Sequence, residues 1–78
     1  MLNNMVLNEI SKYKKYEVVF SHNFGWLLVH SGSKQIIKRD TSKDKVIDYG
    51  KDYCMVNNSR LQVYDAKGAL SEVIDFSK

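Results

Sequence analysis

His22, His30 and Cys54 are the side chains of this 78-residue sequence best suited to chemistry near neutral pH. An unperturbed imidazole titrates at about pH 6.5, so a histidine pair can hold and pass protons. Both histidines fall at the ends of extended stretches. A tight hairpin bringing them together would make a general acid–base pair for RNA cleavage, with a Lys or Tyr holding the phosphate. The sequence offers no third partner, and ordinary strand-end histidines bonded to backbone or water fit the pattern better. Cys54 stands between Tyr53 and Met55. A nucleophilic thiol needs an exposed, electropositive setting and a base, whereas an isolated cysteine in an alternating run reads as a small core residue.

Other chemistry is excluded by spacing. Gly32-Ser33-Lys34 lacks the order and flanks of a phosphate-binding loop. The acids are scattered singly, with no calcium ladder and no close carboxylate pair of the glycosidase kind. A single cysteine rules out an intrachain disulfide, and one thiol with two histidines does not make a structural zinc set. No cofactor and no metal are expected.

The remaining candidates bind rather than react. Lys34, Lys38, Arg39, Lys43 and Lys45 are a basic cluster, interrupted by Asp40 and Asp44. With Trp26, Tyr49 and Tyr53 they form the expected partner-binding set, because Trp, Tyr and Arg dominate protein hot spots. Phe20, Phe24 and Tyr16 extend the aromatic choice. The same residues could serve as a stacking platform for a single-stranded nucleic acid. The competing reading makes the lysines a solvated strand edge and the aromatics core.

Positioning these residues requires short elements. Leu2, Met5, Val6, Ile10 and Tyr13 share one stripe of a 3.6-residue period and predict a helix over residues 1–15, capped by Asn3 or Asn4 and docked on the rest of the fold. From Tyr16 the period changes to two. Tyr16–His22, Trp26–His30, Lys34–Arg39, Lys45–Tyr49, Tyr53–Val56, Arg60–Tyr64 and Ala69–Phe76 read as strands, the last with a helical alternative. Asn23-Phe24-Gly25, Ser31-Gly32-Ser33, Gly50-Lys51-Asp52, Asn57-Asn58-Ser59 and Asp65-Ala66-Lys67-Gly68 separate them, with Asp40–Asp44 as a polar loop. The expected fold class is α+β, predominantly β: an N-terminal helix, then a six- or seven-stranded antiparallel meander over residues 16–78, closing as a small barrel.

Size and charge set the outer bounds. A chain this short is one domain that must fold on its core alone or with an oligomer's help. Residues 1–45 carry eight Lys/Arg against four acids, and residues 46–78 carry four against five. That is a mild basic bias, compatible with an anionic partner. The longest apolar run is Trp26–Val29, far short of a bilayer span, and the first residues lack a signal-peptide pattern, so a cytoplasmic protein without a membrane partner is expected. The functional expectation is a small non-catalytic adaptor or inhibitor, of the kind phages and mobile elements encode, that occupies a surface of a protein partner. The alternative is a single-stranded nucleic-acid or RNA-binding domain using the basic segment 34–45. Self-association through Lys34–Arg39 or the final strand is a further expectation.

Overall fold

Alternating apolar residues after the lysine cluster build the first hairpin of the computed structural model, which describes residues 14–77. Strands β1 (Lys15–Ser21) and β2 (Gly25–His30) pair antiparallel, Tyr16 opposite His30 and Ser21 opposite Gly25. Ser21 Oγ accepts the N–H groups of Asn23 and Phe24, each at 3.3 Å, which closes the connecting turn. Strand β3 (Ile36–Asp40) pairs antiparallel with β2 through a register shift between Leu28 and Val29. Helix α1 (Lys43–Val56) then crosses one face of the sheet, touching β1 to β4. Strand β4 (Arg60–Tyr64) lies parallel to β1, and β5 (Leu70–Asp75) lies antiparallel to β4. The sheet order is β3-β2-β1-β4-β5.

This architecture corrects the expected fold class. The described residues hold five strands rather than six or seven, in one mixed sheet with two free edges rather than an antiparallel meander or barrel. Their helix follows three strands instead of preceding all of them. It occupies the segment read as strands Lys45–Tyr49 and Tyr53–Val56 around a glycine turn. Val46, Gly50 and Cys54 recur every four residues and are all buried, which is a helical stripe. Ser42 Oγ accepts the Lys45 N–H at 3.4 Å, and Asp44 sits in the first turn, where the helix dipole favours an anion. β-branched and aromatic residues around Gly50 imitate strand composition, and packing against the sheet overrode that bias. A parallel pair such as β1–β4 needs a crossover of about a dozen residues or more, so the helix and the mixed sheet are one correction. The helix expected over residues 1–15 lies mostly outside the described residues; Lys15 opens β1. The ambiguous stretch Ala69–Phe76 is strand over Leu70–Asp75.

The core sits between α1 and the sheet. Tyr16, Val18, Leu28, Val46, Cys54, Leu61 and Val63 are buried there, with Trp26, Ile37, Ile47, Tyr53, Ile74 and Phe76 packed against them. Gly50 lets the helix come close. A Cβ there would stand 3.2 Å from methyl carbons of both Leu28 and Leu61.

Two core groups make the fold sensitive to alkali. Burial, and then the neighbouring Tyr53 hydroxyl, push the Tyr16 phenol from 10.0 up to about 12. Burial pushes the Cys54 thiol from 9.0 up to about 11. Each group holds its proton more tightly in the folded chain than in the unfolded one. Their stabilisation is therefore complete below the ordinary values and is lost as pH rises through the shifted ones. The urea midpoint is expected to stay level near neutrality and to fall steadily once pH passes the ordinary thiol value of 9.0. Cys54→Ala should delay that fall to the tyrosine range. A midpoint unchanged at pH 11 in wild type would contradict the assignment.

Candidate functional site

Of the expected partner-binding residues, Lys38 and Arg39 lie on β3, Lys43 and Lys45 in the first turn of α1, Trp26 on β2, and Tyr49 and Tyr53 farther along α1. Because β3 ends the sheet, one side of its backbone has no strand partner among the described residues. Hydrogen-bond alternation shows which groups point outward. The Ser31 N–H donates to the Lys15 carbonyl at 2.9 Å, so the odd residues of β2 bond to β1 and the even ones to β3. Lys38 and Asp40, opposite Leu28 and Trp26, accordingly turn their N–H and C=O inward. Arg39, opposite Leu27, turns its own outward.

Three cations of this region lie over aromatic rings. Lys43 Nζ is 4.5 Å from the Trp26 ring centroid, and Lys38 Nζ is 5.3 Å from that of Tyr49. The Arg39 guanidinium is 4.9 Å from the Phe24 ring. Each contact is worth about 0.5–1 kcal/mol at an exposed site, enough to bias where a long side chain rests. Tyr49 stacks on Tyr53 at 6.2 Å with a 23° interplanar angle, and Tyr53 meets Tyr16 edge-on at 5.0 Å. Trp26 and Tyr53 are half-buried, each packed on the core, while Tyr49 is 43% exposed. The aromatics thus divide between core and surface instead of forming one flat platform.

Lys34 stands apart from the others. It sits in the β2–β3 turn at φ 64° and faces Glu17, Nζ to Oε1 3.7 Å. Lys45 is exposed in the first turn of α1. The two interrupting acids both act locally. Asp40 Oδ1 accepts the Ser42 N–H at 2.8 Å, shaping the entry to the helix, and Asp44 lies at the helix N-terminus. Phe24 joins the set through Arg39. Its sequence signal was weak, since a turn aromatic gains its cation only when β3 folds beside the hairpin. Beside this region, Tyr49, Asp52, Tyr53, Val56 and Asn57 line an open depression of about 380 Å³.

The histidines are not brought together. His30 is level with Tyr16 at one end of the hairpin, and His22 lies in the turn beyond Ser21 and Gly25 at the other. The five strand steps from Tyr16 to Ser21 alone span about 17 Å. His30 Nδ1 accepts the Ser33 N–H at 3.0 Å, and its ring meets Tyr16 edge-on at 5.2 Å, so it braces the β2–β3 turn. Cys54 is fully buried, its Sγ 3.8 Å from the Arg60 carbonyl oxygen. Among the described residues no three metal-ligating side chains cluster, and no helix is long and apolar enough to cross a membrane. No protein-family model, curated protein or solved structure matches this chain.

Proposed function

We propose that this protein is a non-catalytic binding module that adds an extended, acidic segment of a protein partner to the free edge of β3. The observation that carries this reading is the coincidence of a strand edge left unpaired among the described residues with Lys38, Arg39 and Lys43, each held over an aromatic ring. Main-chain hydrogen bonds to Arg39 would supply affinity of the kind strand addition gives. The braced cations would select acidic side chains and steer the approach.

A capped peptide of alternating threonine and glutamate is a direct probe, with a threonine–lysine repeat as control. The acidic peptide is expected to bind and the basic one not to. Reversing both charges in a Lys38→Glu, Arg39→Glu variant should weaken binding at least about tenfold, equivalent to 1.4 kcal/mol. Equal binding of both peptides, or indifference to the reversal, would refute edge recognition. The ring–cation pairs and the Tyr49–Tyr53 stack favour one competing ligand, a single nucleic-acid strand. Binding of a mixed oligonucleotide pool, falling linearly with salt on logarithmic axes, without peptide binding, would replace the protein reading with that one.

A further inference from the structure

We infer that a second copy of this chain can occupy the same edge, its β5 pairing antiparallel with β3 head to tail. This inference rests on the reading of β3 as a docking edge and names one partner for it. The two ends of the sheet are unlike. β3 is basic, with Lys38 and Arg39, whereas β5 (Leu70-Ser71-Glu72-Val73-Ile74-Asp75) has two acids, no cation and no proline. It lacks the charged lysines that commonly keep a free edge from pairing. Leu70 is 51% exposed and Val73 48%, and on the other edge Ile36 is 48% exposed, so both edges present apolar surface.

Strand direction fits as well. β3 runs parallel to β4, because β1 is antiparallel to β2, β2 to β3, and β1 parallel to β4. β5 is antiparallel to β4. Copies set side by side with their helices on the same face therefore bring β5 against β3 antiparallel. Side chains and hydrogen bonds agree on a register. The Phe76 N–H donates to the Ser59 carbonyl at 3.0 Å, so alternation turns the backbone of Ile74 and Glu72 toward β4 and that of Val73 outward, as far as the register shift between Val63 and Tyr64. Lys38 likewise turns its backbone inward. Glu72 opposite Lys38 is then a non-hydrogen-bonded pair, the kind with the closest side-chain approach. Glu72 and Lys38 also project from the same face, since they stand opposite Val63 and Leu28 of the core. A head-to-tail contact does not close on two copies. It extends into a ring or a row.

Sedimentation equilibrium of the full chain, from micromolar to millimolar concentration, tests the inference. Wild type is expected to gain mass with concentration and to lose it in high salt. Glu72→Lys and Lys38→Glu should each be monomeric throughout, because each sets like charges across the contact. An equimolar mixture of the two should associate again, because every junction between unlike copies pairs opposite charges. Circular dichroism of each variant checks that these exposed substitutions leave the fold intact. Wild type monomeric at every concentration overturns self-pairing, and if the acidic peptide still binds, the β3 reading stands without it. Association that survives Lys38→Glu overturns it too, by moving the contact away from β3.

Discussion

Replacing Gly25 with alanine is expected to cost at least about 3 kcal/mol of stability, from backbone strain and overpacking together. Gly25 sits at φ 87°, and a Cβ there would lie 2.9 Å from the Thr41 Cα and 3.0 Å from the Asp40 carbonyl oxygen. Those contacts are backbone, so they cannot be relieved by turning a side chain. Relief would have to push the β3–α1 junction off the hairpin, separating Lys43 from Trp26. Gly68→Ala is the matched control. Its φ of 89° is equally left-handed, but nothing lies within 4 Å of the added carbon. It should cost only about 1–2 kcal/mol, the conformational penalty alone. Urea titration of the two variants measures the difference, and equal losses would mean that the close approach at Gly25 is absent.

Leu28→Ala is expected to cost about 3–4 kcal/mol, in the range of buried leucine truncations. Leu28 is fully buried on an inner strand, beneath the helix at Gly50. Small domains hold only about 5–15 kcal/mol in total, so this variant should lose a large share of its stability. The same contact predicts coupling. Gly50→Ala in wild type gains about 0.8–1 kcal/mol of helix propensity but must displace two packed leucines. In the Leu28→Ala background one of those leucines is gone, and the added methyl enters the space left behind. The double variant should therefore be more stable than the sum of the single effects, by about 1 kcal/mol in a double-mutant cycle. Strict additivity would mean that α1 does not close over β2 at this glycine.

Much of the sheet was legible because its signals are local. The Tyr16–His22 alternation, the Trp26–His30 core strand and the basic edge at Lys34–Arg39 each follow from residues adjacent in sequence. So does the Asp65–Gly68 turn, where Asp65 Oδ1 accepts the N–H groups of Lys67 and Ala69 at 2.9 Å each. Helix α1 was not legible in this way. Gly50 reads locally as a turn residue, and only the neighbouring Leu28 and Leu61 reveal that it is small to admit a close approach. Val46 and Cys54 completed a stripe that strand-like composition concealed. Losing the helix also lost the parallel β1–β4 pair, and with it the position of β5 at the far edge. Lys38, Lys43, Trp26 and Tyr49 formed a set by residue type alone, with no contact between them specified by the sequence. The geometry of that set depended on β3 and α1 being consecutive elements joined by the Asp40–Ser42 turn, where the sequence suggested only a polar loop.

Residue-resolved amide hydrogen exchange, with and without the threonine–glutamate peptide, bears most directly on β3 as the working edge. Strand addition predicts that peptide slows exchange at Arg39, whose N–H points outward, and changes Lys38 and Asp40 little. Slowed exchange confined to Tyr49–Val56, or none in β3 at saturating peptide, would contradict it.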